Sequence, residues 1–410
     1  MFGYKDDENE KRFIFSPLGN LFLKHFENEE KRTKIFTSML WAIQFPHPHS
    51  STPWSFNLFP FRLIFTLLSD ERLGCKLYSP EIAYWVMQQK TIDEKSYNEL
   101  VRQILDFRKL TTKEKEILFS TDKHLYVNAS YEWNYISTLL EQLNIINRFD
   151  MKSNDVICRL THPNRETSKS GPTIRTVRNN YCEIAEGNKN FITKLIEKYS
   201  CFEQPLQLDD PHRMKLEVVK EIYNFYPSIL MEQIGESDEL SSLLELPKLI
   251  ETYSNNPDND TAYLFEEVLV EGFDMFYNAE TKRIGGAGHT DIECLYLTKK
   301  KKFAVESKST ANKLSGINIG RLREHREEIG GEYTIVITPR YVPAAKRDIK
   351  GSSNVIILAS TFAEYLYNHI FHEVREVDYA DFDNIIINHL GEDVSKYISN
   401  MTMEKFAVSG

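Results

Sequence analysis

Long apolar runs are missing from these 410 residues: the strongest, Val355 to Ala359, falls far short of the roughly 20 residues a membrane-spanning helix needs. Met1 to Arg12 is charged and has no apolar stretch of the kind a secretory leader carries, so a cytoplasmic protein with no membrane partner is expected. Cysteine is scarce. The five, Cys75, Cys158, Cys182, Cys201 and Cys294, are odd in number, scattered and without a CxxC pair, which argues against a disulfide framework and against a zinc finger. The chain also lacks a fixed-period repeat, a low-complexity tract and a surplus of positive charge, its formal net charge being −10. With 41% apolar and 27% charged residues it has the composition of a globular protein with room for two or three domains.

An acidic average opposes nucleic-acid binding, because a polyphosphate attracts basic surfaces. The charge is unevenly spread, however. Lys282 to Lys350 holds 15 Lys and Arg against 8 Asp and Glu, whereas Glu203 to Glu280 holds 4 against 18. Neighbouring segments of opposite sign suit a protein with one surface facing an anion and another kept off it, although solvated faces of unequal sign give the same counts.

Met1 to Leu110 reads as helices with short interruptions, apolar residues recurring at helical spacing over Ile35 to Phe45 and Pro60 to Leu68. Gly74 to Tyr78 reads as a turn and short strand, followed by a helix at Ser79-Pro80-Glu81, where Ser79 supplies a capping hydroxyl. With a further helix over Tyr97 to Phe107, this order is compatible with a helix-turn-helix or winged-helix module, or with an all-helical domain that has no DNA role. Thr112 to Asn147 is again helical. Arg159 to Asn180 is a turn-rich cationic loop or wing, with Arg159, Arg165, Lys169, Arg175 and Arg178 against the single acid Glu166. Such side chains can lie along a phosphate backbone or reach base edges, and a solvated connection is the competing reading. Acidic helices run to Thr252, and the polar break Asn255 to Asp260 is the expected main boundary. The expected segments are 1–110, 111–255 and 256–410.

The last segment carries the chemistry. An amphipathic helix over Thr261 to Tyr277 leads to a glycine-rich turn, Lys282 to Gly288, then strands over Thr290 to Thr298 and Phe303 to Ser309 around a turn of four lysines, Lys299 to Lys302. Alternating helices and strands to Val374 predict an α/β core around a mixed sheet. Asp291 opens the first strand of the hairpin, and Glu306 and Lys308 share a face of the second by the period of two. Two converging carboxylates repel, and a hard divalent cation such as Mg²⁺ is the natural compensation. Lys308 beside it can orient a water or offset charge on a phosphate. Gly285 to Gly288 is not followed by Lys-Ser/Thr, so a P-loop is rejected. A surface ion pair on an edge hairpin is the structural alternative, but Phe303-Ala304-Val305-Glu306 reads as a buried strand, where an unused charge is expensive.

At these residues the chain resembles the PD-(D/E)XK nuclease superfamily, with Gly288-His289-Thr290-Asp291 at the strand Asp and Glu306-Ser307-Lys308 at the (D/E)XK. The resemblance implies a helix acid at Glu266, with Glu267 a rival, and metal ligation by Asp291 and Glu306. Thr290 stands where the motif's name has Pro. Phe15 to Gly19, Gln44 to Pro48, Phe59 to Arg62 and Lys76 to Ser79 resemble the N-terminal region of type IIS restriction and nicking endonucleases of the AlwI and FokI sort. The expected fold is multidomain: a mainly helical, winged-helix-like N-terminal part and a C-terminal α/β PD-(D/E)XK core. The expected function is a sequence-specific, Mg²⁺-dependent endonuclease acting on double-stranded DNA, as a homodimer or heterodimer where both strands are cut. A strand-nicking subunit and a non-catalytic winged-helix DNA-binding protein are the alternatives.

Overall fold

The computed structural model describes residues 1–5, 12–47, 55–121, 123–149, 156–161, 174–206, 219, 222–235, 238–286, 288–374 and 376–409. The chain divides into two compact units, the first comprising 1–2, 17–210 and 225–234, the second 3–16, 211–224 and 235–410. The helical reading of the N-terminus misses its beginning. Strands β1 (Gly3–Lys5) and β2 (Arg12–Phe15) form an antiparallel hairpin, and its partner is the far end of the chain.

The first unit is built of helices and two small sheets. Strand β3 (Leu77–Tyr78), strand β4 (Ile146–Phe149) and strand β7 (Tyr181–Ile184) form an antiparallel sheet in the order β3-β7-β4. The helical stretch expected to Asn147 therefore stops earlier, at Gln142, and the β-branched Ile145 and Ile146 pass into an extended strand. Strands β5 (Val156–Thr161) and β6 (Ile174–Arg178) pair as a hairpin. One face of that hairpin sends Cys158, Leu160 and Val177 into a core with Phe107, Phe119 and Tyr126 from the helices Glu94–Lys109, Thr112–Thr121 and Lys123–Gln142. The helix Ser79–Tyr84 begins one residue earlier than a Ser79 cap requires: Tyr78 is the N-cap, and Glu81 Oε2 accepts its backbone N–H at 3.0 Å.

In the second unit the five-stranded sheet has the order β12-β11-β10-β9-β8. Strand β8 (Ala279–Arg283) fills part of what reads as a glycine-rich turn and pairs antiparallel with β9 (Ile292–Tyr296). Strand β10 (Lys301–Ser307) runs antiparallel to β9 and parallel to β11 (Gly331–Thr338), which is parallel to β12 (Asn354–Leu358). Lys301 and Lys302 thus belong to a strand, and the tetralysine segment is not simply a solvated turn: Lys299, Lys301 and Lys302 pair with Asp383, Glu332 and Glu293. The helix Ile319–Ile329 is the crossover between β10 and β11, begun by Asn318, whose side chain accepts from Arg321 N, and ended by Gly330 at φ +69°. Only a residue tolerant of positive φ stops a helix this way.

Packing against the sheet is dominated by aromatic rings. Phe303 of β10 stacks on Tyr379 at 4.7 Å, and Phe273 on Phe362 at 4.8 Å. Each buried ring contributes about 1.5–3 kcal/mol by removal from water. Gly272 lets the helix Ala262–Asp274 come close to the helix Ala359–Phe371, since a Cβ there would meet Phe362 Cε1 at 2.8 Å. The last strand, β13 (Val408–Ser409), closes the unit on β2. The break Asn255 to Asp260 lies inside this unit, between the helices Asp238–Asn255 and Ala262–Asp274. There Asn256 Nδ2 donates to Ser309 Oγ at 3.0 Å and its Oδ1 accepts from Thr261 N at 2.9 Å.

Candidate active site and nucleic-acid interface

The register Val305↔Ile292 of β10 and β9 sets Glu306 opposite Asp291, at the point where the two strands separate. Both Oγ and backbone N of Ser307 donate to Asp291 Oδ2, at 2.9 and 2.7 Å. Asp291 Oδ1 accepts no hydrogen bond among the described residues. Burial, and next the negative charge of Glu306, push the Asp291 carboxyl above its ordinary 3.8, with Lys308 and Ser307 opposing. Glu306 is buried, and Lys308 Nζ lies 2.8 Å from its Oε2. Lys308 is placed by its backbone: its N–H donates to Ile337 O at 2.8 Å and its carbonyl accepts from Thr338 Oγ1 at 3.0 Å. Asp291, Glu306 and Lys308 therefore converge. Thr290, at the motif's Pro position, is buried and donates from Oγ1 to Val305 O at 3.3 Å across the same pair of strands.

Glu266 lies on the helix Ala262–Asp274 and is paired with Arg283, Oε2 to Nε at 2.8 Å. The Arg283 guanidinium also covers the Tyr263 ring, 3.7 Å from its centroid. Ile284 N and Gly285 N both donate to Asp291 O, which brings this loop beside the carboxylates. No three His, Cys, Asp or Glu side chains form a ready metal cage among the described residues. The donor set nevertheless fits a hard ion that takes one or two carboxylates and fills its remaining positions with water and phosphate oxygen. Burial is the larger cause of the upward push on Asp291 and the charge of Glu306 the second, and a cation beside the two carboxylates would offset the latter.

In the first unit a cleft of about 420 Å³ is lined by Ser79, Arg148, Arg175, Arg178 and Asn180, together with Tyr131, Trp133 and Tyr135. Of the five basic residues singled out in the sequence, Arg175 and Arg178 line it. Arg159 is exposed on the same β5–β6 hairpin but does not line the cleft, and Arg165 and Lys169 lie outside the described residues. Arg175 shares its face of β6 with Val177, and its guanidinium sits 5.0 Å from the Tyr131 ring centroid. Tyr131 and Tyr135, four apart on the helix Lys123–Gln142, are exposed, with rings 4.8 Å and hydroxyls 3.0 Å apart. Two exposed aromatics beside arginines offer ring faces and hydroxyls in a cationic setting.

Residues 1–199 match the family model described as the type II restriction endonuclease HgaI, N-terminal domain. Over 409 residues, 99% of this chain and 83% of the relative, the sequence is 48% identical to the type II restriction enzyme HgaI of Avibacterium volantium. The chain belongs to the HgaI family of type II restriction endonucleases. The solved structure of the restriction endonuclease FokI bound to DNA covers 94% of this chain and 79% of its own at 9% identity, with a TM-score of 0.30, and a second solved structure of the restriction endonuclease FokI covers 94% and 80% at 8% identity, with a TM-score of 0.29. No described helix of this HgaI-family chain is long and apolar enough to cross a membrane.

Sequence reasoning missed several residues of this HgaI-family chain. Tyr131 and Tyr135 lie inside a stretch read only as helix, where the available signal was the aromatic pair at i, i+4 interrupting a polar face, and Arg148 lies just beyond it on β4. Arg283, within the glycine-rich segment, was not recognised as the partner of Glu266. His325 was not singled out at all. It is buried on the crossover helix with Nδ1 2.8 Å from Glu306 Oε1, and no short motif links positions 19 apart.

Proposed function

We propose that this chain is a type IIS endonuclease that recognises duplex DNA with its first unit and hydrolyses a phosphodiester with its second, using Mg²⁺ held by Asp291 and Glu306. The observation that carries this reading is the convergence of Asp291, Glu306 and Lys308 where β9 and β10 part, in a chain of the HgaI family. Asp291 presents Oδ1, Ser307 holding its other oxygen. When bound there, a divalent cation neutralises charge on the phosphate and lowers the pKa of a coordinated water. Lys308, released from Glu306, holds the attacking water or offsets charge on the phosphate oxygens. Glu266 acts as the helix acid only after giving up its contact with Arg283, a cation that a DNA phosphate also attracts.

Recognition is assigned to the cleft of the first unit. The helix Ser79–Tyr84, the sheet β3-β7-β4 and the β5–β6 hairpin supply the helix and wing of a winged-helix-like reader, with Arg175 and Arg178 as DNA contacts and Arg159 along the hairpin. Arg165 and Lys169 extend the same basic segment. One site of this kind cuts one strand, so double-strand cleavage calls for a second copy or a partner subunit. Supercoiled plasmid incubated with the full chain should be converted to nicked or linear product with Mg²⁺ and stay supercoiled in EDTA, with run-off sequencing placing every cut at a fixed distance from one sequence. Binding at one sequence without any Mg²⁺-dependent cut would reverse the proposal in favour of a non-catalytic DNA-binding protein.

A further inference from the structure

Glu306 is held from two sides. Its Oε2 meets Lys308 Nζ, and its Oε1 meets His325 Nδ1, both at 2.8 Å. The other nitrogen of that imidazole, Nε2, faces Arg321 Nε at 3.3 Å. A guanidinium can only donate, so Nε2 accepts, and the ring's N–H is at Nδ1, pointing at Glu306. Arg321 and His325 are one turn apart on the crossover helix Ile319–Ile329, which packs over β10 and β11, so the imidazole is fixed by its helix and by a donor of its own. The side chains of His325 and Glu306 are 4% and 2% exposed, so water does not compete for this bond.

From this geometry we propose that His325 is a positioning residue for the nuclease reaction, one that locks the plane of the Glu306 carboxylate and leaves Oε2 as the oxygen presented to Lys308 and to a metal ion. The inference rests on the assignment of Asp291 and Glu306 as metal ligands. The two carboxylates are then built alike: Ser307 fixes one oxygen of Asp291, His325 one oxygen of Glu306, and in each the second oxygen is the working one. Without its donor, Glu306 has several rotamers open to it, and a metal ion must select the productive one at a cost in affinity. Partners that orient a metal ligand typically account for about 10–100-fold in metal affinity.

The test uses the full chain and Mn²⁺ alone as probe, its binding followed by electron paramagnetic resonance without DNA. His325→Ala should weaken Mn²⁺ binding about 10–100-fold, lower kcat, and leave KM and DNA affinity in EDTA unchanged. His325→Asn, whose amide N–H can take the place of Nδ1–H, should restore most of the lost affinity. Mn²⁺ affinity within twofold of the parent in His325→Ala overturns the proposal, and so does His325→Asn failing to bind Mn²⁺ better than His325→Ala while melting at the parent's Tm. If His325→Ala does not fold, His325→Asn decides by the same measurement: near-parental Mn²⁺ affinity supports the role, and a loss beyond tenfold in a folded variant overturns it. Asp291→Ala, measured in parallel, separates the two levels, since parental Mn²⁺ binding by that variant means that the metal-site assignment itself has failed.

Discussion

Glu81 in the first compact unit and Glu306 in the second are both glutamates with side chains only 1% and 2% exposed, each next to a cation, and the surroundings of that cation separate them. Arg108 grips both oxygens of Glu81, Nε to Oε1 at 2.8 Å and Nη2 to Oε2 at 2.9 Å, and spends its other donors on Leu73 O and Lys76 O. One acid meets one base, and both oxygens of Glu81 are bonded, Oε2 also accepting from Tyr78 N. Around Glu306 the single lysine stands against two carboxylates, because Asp291 lies across the strand pair. The difference is in the charge count: one acid faces one base at Glu81, whereas two carboxylates share one lysine at Glu306, and it is on this surplus that the proposed cation site rests.

The comparison breaks most visibly on the surplus side. Asp291→Ala should reduce Mg²⁺-dependent plasmid cleavage by on the order of a thousandfold or more, about 4 kcal/mol of transition-state stabilisation, while DNA binding measured in EDTA persists. A near-parental cleavage rate would mean that chemistry lies elsewhere. On the closed side, Arg108→Ala strands Glu81 in a buried position and should cost about 3 kcal/mol, read as a lower denaturation midpoint of the full chain, with Mn²⁺ affinity unchanged.

A smaller effect sharpens the contrast through pH. Burial and Glu306 hold the Asp291 carboxyl above its ordinary 3.8, so the protonated form is the one that folding favours. That contribution is fully present below 3.8 and is lost as pH rises through the higher folded-state value. Metal-free Asp291→Asn should therefore melt above the parent at pH 7, by less than Arg108→Ala lowers the melting point, and the difference should shrink as pH falls toward 3.8. An equal gain at every pH would remove charge as its cause. The smallest effect belongs to the cleft of the first unit: Arg175→Ala and Arg178→Ala should each lower the log-log salt slope of DNA affinity by about 0.9 if each contacts a phosphate, and an unchanged slope in both would remove the cleft from the interface.

What could be read from the sequence follows from how local each determinant is. Asp291 immediately precedes β9 rather than opening it, and Glu306 lies near the end of β10; the two strands are joined by a short turn, so the period of two and the spacing suffice to bring the carboxylates together. The α/β character after residue 260 was legible for the same reason, the central strands and the helices around them carrying their own hydrophobic patterns. The pairing of β2 with β13 joins the two ends of the chain, and no window of sequence contains it. Strand β8 is short, polar and placed at a sheet edge, so it has little apolar alternation to announce it. The wrong cap at Ser79 has a similar origin: the hydroxyl was available, but Glu81, already buried against Arg108, takes the Tyr78 amide instead. The contacts of His325 with Glu306 and of Arg283 with Glu266 join separate elements, and they become visible only when β10 and the helices beside it are seen together.

The central claim, that the acid surplus of the second unit is a divalent-cation site, is tested most directly by calorimetric titration of Ca²⁺ into the full chain at pH 7 in the absence of DNA. The account predicts a binding isotherm for the parent that is lost in Asp291→Asn and in Glu306→Gln but retained in Arg108→Ala. An isotherm of the same affinity in the parent, Asp291→Asn and Glu306→Gln would contradict it.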